Sequence, residues 1–176
     1  MHKRTIPIIH IIGLPGAGKT TLARKLSKVL KVPVFCIGHY RARFPQTALG
    51  EADTWLALFR ELSRRGWKNC ILETTGLNSR EAFLRTALPF EQMFTIKLDA
   101  SRKTLNLRIR KKKKGDRGGR WLYSAKYRNK YEFARKFFKS FCRIPANCYI
   151  DTNRLTKAAV YRQAFKEIDS LRSSKL

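Results

Sequence analysis

The sequence predicts a three-layer α/β fold, a five-stranded parallel sheet with helices on both faces, and three observations predict it. Five short apolar runs, at 6–12, 32–37, 69–75, 93–99 and 147–151, punctuate the chain. Between them lie longer segments whose apolar residues recur every three or four positions, the period of a helix. A glycine-rich turn joins the first run directly to the first helical segment. Such alternation buries both faces of a parallel sheet and leaves ligand sites at the carboxyl ends of its strands. At 176 residues the chain is expected to form one domain, 1–176, with a core that needs no disulfide or metal staple.

The elements follow in order. "IPIIHII" (6–12) is an apolar strand, and Thr20 to Leu30 sets Leu22, Leu26, Val29 and Leu30 on one helical face. "VPVFCI" (32–37) is a short second strand, and the Gly and Pro of "GHYRARFP" (38–45) suit a functional loop. A helix over 51–66 carries Trp55, Leu58, Phe59 and Leu62 at helical spacing and stops at Gly66. "NCILETT" (69–75) is the third strand, and Asn78 or Ser79 caps the helix that follows. "MFTIKLD" (93–99) is the fourth strand. A helical stretch from Ser101 breaks at "GDRGG" (115–119) and resumes over 123–141, which makes residues 101–143 a basic helical hairpin. "NCYID" (147–151) closes the sheet, and a last amphipathic helix turns Val160, Phe165 and Ile168 inward.

The turn between the first strand and first helix reads "GLPGAGKT", Gly13 to Thr20, and fits G-x-x-x-x-G-K-[ST]. In that pattern backbone N–H groups wrap nucleotide phosphates and deliver them to a helix N-terminus. The expected cradle is Gly13, Gly16, Ala17, Gly18, Lys19, Thr20 and Thr21. Its glycines allow close backbone approach, Lys19 reaches the β- and γ-phosphates, and the Thr20 hydroxyl ligates Mg²⁺. ATP and Mg²⁺ are the expected cofactors. Glu73, at the end of the third strand, reads as a magnesium-side carboxylate, as a catalytic base, or as a strand-end acid paired with a nearby cation.

The segments "GLPGAGKTTLARKL", "IGHYRARFP", "ILETTGLNSR" and "RIRKKKKGDRGG" occur in the order found in small P-loop kinases. The chain resembles the nucleoside and nucleotide kinase group, most of all phage-type polynucleotide 5′-hydroxyl kinases and zeta-toxin-like kinases. The likeness runs over about residues 6–170 and is most specific at the phosphate loop. It implies phosphoryl transfer to a hydroxyl. In the polynucleotide kinases an Asp-x-Tyr-Arg segment follows the second strand, its Asp the general base and its Arg the holder of the acceptor phosphate. The matching positions here are Gly38, His39, Tyr40 and Arg41, so the Arg carries over and the Asp does not. His39, with an imidazole that titrates near neutrality, and Glu73 are the two candidate bases. A Thr-Asn-Leu-Asn segment followed by Arg is matched by Thr75, Gly76, Leu77, Asn78 and then Arg80. The lid arginine falls among Arg108, Arg110, Arg117 and Arg120, with Arg110 and Arg117 expected at the nucleotide phosphates. By the same likeness Asn153 and Arg154 flank the adenine.

Charge points to the partner. The chain has 39 Lys+Arg against 12 Asp+Glu, a net charge of +27, and +15 of it falls between Ser101 and Arg143. So large an excess opposes compaction and fits a polyanion, with nucleic acid the expected partner. Trp121 and Tyr123, beside the cations of the hairpin, are candidates for base stacking. No apolar run reaches the ~20 residues of a membrane helix. Cys36, Cys70, Cys142 and Cys148 lack C-x-x-C spacing and read as reduced, mostly buried thiols of a cytoplasmic protein. Three readings stand: a kinase acting on a nucleic-acid end, a nucleoside or nucleotide kinase with a basic lid, and a catalytically weak nucleotide-binding module that clamps RNA or DNA.

Overall fold

A computed structural model of the chain describes residues 5–89, 92–111 and 130–173. Five strands, β1 (Ile8–Gly13), β2 (Val34–Cys36), β3 (Cys70–Thr74), β4 (Met93–Asp99) and β5 (Cys148–Asp151), form one sheet in the order β2-β3-β1-β4-β5. Every neighbouring pair is parallel. Seven helices are described: α1 (Lys19–Leu30), α2 (Ile37–Arg41), α3 (Ala48–Arg64), α4 (Ser79–Ala87), α5 (Arg102–Lys111), α6 (Lys130–Cys142) and α7 (Lys157–Ser173). The connection leaving β1 runs to one side and those leaving β3 and β4 run to the other, so the carboxyl end of β1 lies at a topological switch point.

Alternation along the central strand divides the core. Ile9 and Ile11 pack in a cluster with Leu22 and Leu26 of α1 and Val160, Ala164 and Ile168 of α7. Ile8 joins Leu72 and Met93 against Trp55, Leu58 and Leu62 of α3. The sheet is covered on both sides, as the apolar runs require.

Four expectations are corrected by local chemistry. Residues 38–45 are not wholly loop, because Ile37 and Tyr40, three apart, both bury and wind the chain into α2, with Tyr40 beside Phe35. That winding, with Pro33 before it, trims the second strand to three residues. The next helix begins at Ala48 rather than 51, since the Thr47 side chain caps it by accepting from Gly50 N at 3.0 Å. Val29 is exposed instead of inward. Asn78 is the cap of α4, accepting from Arg80 N at 2.8 Å. Of the thiols, Cys70 and Cys148 are buried, Cys36 half-buried and Cys142 exposed, and all four are unpaired.

Of the expected hairpin, α5 packs on α6; Lys112 to Lys114, Arg117, Arg120, Trp121, Tyr123 and the expected break lie outside the described residues. One buried cation ties α6 to the sheet. Lys97 of β4 is almost fully enclosed, and its Nζ donates to the carbonyls of Cys142 at 3.0 Å and Ile144 at 3.1 Å, where α6 ends. The ring of Phe141 lies 4.8 Å from the ammonium and that of Tyr149 5.3 Å away. A cation at a helix C-terminus answers both the unsatisfied carbonyls and the helix dipole. Lys97→Met, similar in volume, strands those carbonyls, and urea titration is expected to show a loss of about 2–3 kcal/mol, the size of charge-assisted hydrogen bonds.

Candidate active site

The glycine loop is built by close packing. A Cβ on Gly13 would stand 3.0 Å from Ala17 Cβ and 3.2 Å from Leu98 O, and one on Gly16 would stand 2.9 Å from Leu105 O of α5. Gly16 also has φ 89°, and Gly18, the N-cap of α1, has φ 100°. Both angles favour glycine. No side chain caps α1 and no acid lies in its first turn, so the amides at Lys19, Thr20 and Thr21 face the loop with the helix dipole unopposed. Ala17 is buried, its N–H closing a turn onto Leu14 O at 3.0 Å. Lys19 Nζ folds over the same carbonyl at 3.4 Å.

Thr20 meets Glu73 at the loop's edge. Thr20 Oγ1 donates to Glu73 Oε1 at 2.7 Å, while Oε2 of this buried carboxylate has no hydrogen-bond partner among the described residues. A carboxylate oxygen without a donor, beside a threonine hydroxyl and a phosphate loop, suits a hard divalent cation. The donor set therefore fits Mg²⁺, with Thr20 and Glu73 the residues that would hold it.

Cys36 is a part of this edge that sequence reasoning missed. It is the register partner of Glu73 on the neighbouring strand, and register partners point to one face. Burial pushes its thiol above the usual value, and the Glu73 carboxylate adds to that; the Gly38 and His39 backbone and Lys19 pull the other way. The signal for it was a strand-end position level with Glu73, which only the register reveals.

The acceptor-side residues divide. His39 is exposed on α2. Arg41 is buried, its Nε at 2.9 Å and Nη2 at 2.7 Å from the two oxygens of Glu51. Glu51 also accepts from Trp55 Nε1 at 2.8 Å and Asn78 Nδ2 at 3.1 Å. Arg41 thus braces α2 on α3 and, through Glu51, on the cap of α4. Glu51 carries no motif, and nothing in the sequence marked it. Beside Asn78, Gly76 has φ 83°, and a Cβ there would press within 3.1 Å of Ile12. Thr74 Oγ1, 2.8 Å from His10 Nε2, accepts from Gly76 N at 3.2 Å and fixes that turn next to the phosphate loop.

On the other flank, Arg108 donates from Nη1 to Thr152 Oγ1 at 2.9 Å and from Nη2 to Thr152 O, anchoring α5 to the end of β5. Arg110 is exposed and lies 5.8 Å from the Tyr131 ring of α6. Asn153 Oδ1 accepts from Ser101 N at 2.7 Å, joining the connections that follow β4 and β5. Arg117 lies outside the described residues.

Solved structures that share this fold include kinases. A shikimate kinase from Acinetobacter baumannii, in complex with shikimate, superposes with a TM-score of 0.65 at 20% identity, over 98% of this chain and 97% of that one. A gluconokinase from Sinorhizobium meliloti 1021 gives 0.63 at 13% identity, over 97% and 96%. A thymidylate kinase from Candida albicans gives 0.61 at 18%, over 94% and 92%. The fold is that of small P-loop kinases. No protein-family model matches the chain, and no curated protein matches it in sequence.

The Arg41–Glu51 pair sets a stability test. Glu51→Ala removes the carboxylate that balances the buried Arg41 charge, and denaturant unfolding is expected to show a loss of about 3–5 kcal/mol. Replacing both partners, Arg41→Met with Glu51→Leu, recovers a large part of that loss, because an apolar pair leaves no stranded charge.

Proposed function

We propose that the protein is an ATP-dependent phosphotransferase that moves the γ-phosphoryl group onto a hydroxyl, and that the hydroxyl belongs to the end of a nucleic acid. The observation that carries the first part is the Thr20–Glu73 contact at 2.7 Å beside the uncapped start of α1. Oriented amides, the Lys19 ammonium and the Thr20–Glu73 pair converge where the β- and γ-phosphates of a nucleotide would lie. Mg²⁺ held by Thr20 and Glu73 would neutralise charge on the phosphate oxygens. Phosphoryl transfer needs positioning and charge neutralisation above all.

In the step proposed, the acceptor oxygen attacks the γ-phosphorus in line, its proton passes to a base, and ADP leaves with the electrons of the broken P–O bond. Glu73 is buried and committed to Thr20, which favours His39, exposed on α2, as the base. Support for a polyanionic acceptor is electrostatic: Arg102, Lys103, Arg110 and Lys111 of α5 and Arg135, Lys136 and Lys139 of α6 are exposed. A second reading, a nucleotide-dependent clamp with little turnover, is favoured by Gly38 in place of a carboxylate and by the burial of Arg41.

Transfer of label from [γ-³²P]ATP to a 5′-hydroxyl oligonucleotide, with free nucleosides in parallel, tests the reading. Label on the oligonucleotide supports it, label on nucleosides alone assigns a nucleoside kinase, and binding without transfer assigns the clamp. Lys19→Ala is expected to abolish transfer with the unfolding midpoint unchanged, because it removes the charge on the phosphates and leaves the core intact. His39→Ala is expected to lower kcat about 10²-fold or more at unaltered ATP affinity, the usual size of general-base loss. An unaltered kcat in that variant moves the role to Glu73.

A further inference from the structure

Away from the hairpin the chain has a second concentration of charge. From Lys19 to Lys31 there is no acidic residue, and Arg24, Lys25, Lys28 and Lys31 are all exposed. Arg24, Lys28 and Lys31 fall at helical spacing on the outward side, opposite the buried Leu22, Ala23 and Leu26. Helix α7 packs beside α1, with Lys25 Nζ 4.3 Å from the Tyr161 ring at the seam. Next to that seam α7 exposes Arg162 and Lys166. Among the described residues none of these six cations takes part in an ion pair. Like charges three and four residues apart destabilise a helix, and glutamates among them would serve folding better. Lys28, in the last turn, answers the dipole of α1, and Lys25 lies against the Tyr161 ring, but the row as a whole is more repulsive than those contacts require.

We propose that the α1–α7 face is a docking surface for a nucleic-acid backbone, separate from the phosphate loop and from the hairpin. Charge complementarity argues for this occupant. Arg24 to Lys31 spans about 10 Å of helix at ~1.5 Å per residue. A strand of duplex offers a phosphate every ~3.4 Å, so such a row faces about three of them. Both helices start near the carboxyl edge of the sheet, so a strand lying on them leads toward the loop where its end would react. The inference rests on the reading above for the identity of the polymer. Docking needs no nucleotide, so it is measured without ATP, and a failure of phosphoryl transfer leaves it standing.

The test is binding of a fluorescein-labelled oligouridylate, longer than the ~16 nucleotides a single module covers, across a salt series. The variant combines Arg24→Gln, Lys28→Gln, Lys31→Gln, Arg162→Gln and Lys166→Gln. It is expected to bind about 10-fold more weakly or worse at 0.1 M salt, with the log–log salt slope shallower by about 0.7 for each lost phosphate contact. Affinity and slope equal to the parent's overturn the proposal, as does a parent that does not bind the oligouridylate. Binding lost only to phosphatidylserine vesicles, with the oligouridylate unaffected, overturns it in favour of a membrane surface. Should the combined variant fold poorly, R24Q/K28Q/K31Q and R162Q/K166Q, measured separately, apply the same criteria.

Discussion

The parallel register of β1 against β3 is the constraint on which the site depends. It sets Ile11 opposite Glu73 and Ile12 opposite Thr74, and on the far side Gly13 opposite Leu98 of β4. With side chains alternating, that register turns Glu73 toward α1, where Thr20 meets it, and Thr74 toward the opposite face. A slip of one residue would exchange the two. The carboxylate would then face the α3 side, and the loop would lose its acid. Burial of both sheet faces opposes such a slip, because it would drive Leu72 and Ile71 to the wrong clusters as well. Core packing and the chemistry at the loop are therefore fixed by one pairing.

Two buried carboxylates show what the fold does with its few acids. Glu51 receives four donors from Arg41, Trp55 and Asn78, and its acceptor capacity is largely used. Glu73 receives one, from Thr20, and keeps an oxygen without a hydrogen-bond partner. A buried ion with its hydrogen bonds complete holds elements together; one with capacity left over is prepared for a further ligand. The chain thus places a structural acid in α3, on one side of the sheet, and a chemical acid on β3 facing α1, on the other.

Most of the fold is legible because its signals are local. The apolar runs mark all five strands, and the glycine loop with its flanking strand and helix marks the phosphate side. What is not legible depends on tertiary contact. Ile37 reads as the end of the second strand and Tyr40 as part of a loop until α3 supplies a surface for both. Arg41 reads as a free cation of a motif, and only the chain ten residues on, at Glu51, turns it inward. Cys36 reads as a buried thiol because its neighbour Glu73 is far away in sequence and level with it only through the register. Lys97 has Asp99 two residues on, 3.9 Å away, but nothing in the sequence marks the carbonyls at the end of α6 that take its hydrogen bonds.

The charge of +27 has a structural corollary. Among the described residues Glu51, Glu73 and Glu81 are buried, as are Arg41 and Lys97, so burial nearly cancels and the exposed surface keeps essentially the whole excess. Repulsion of that kind opposes the compact state and weakens as salt screens it over a Debye length of about 8–10 Å near physiological ionic strength. A polyanion bound on the α1–α7 face would relieve the same repulsion by a different route, adding stability through mass action. The two routes would depend oppositely on salt. Added salt favours the free protein's fold and would displace the proposed polyanion, so stability and occupancy would be linked through the same exposed cations.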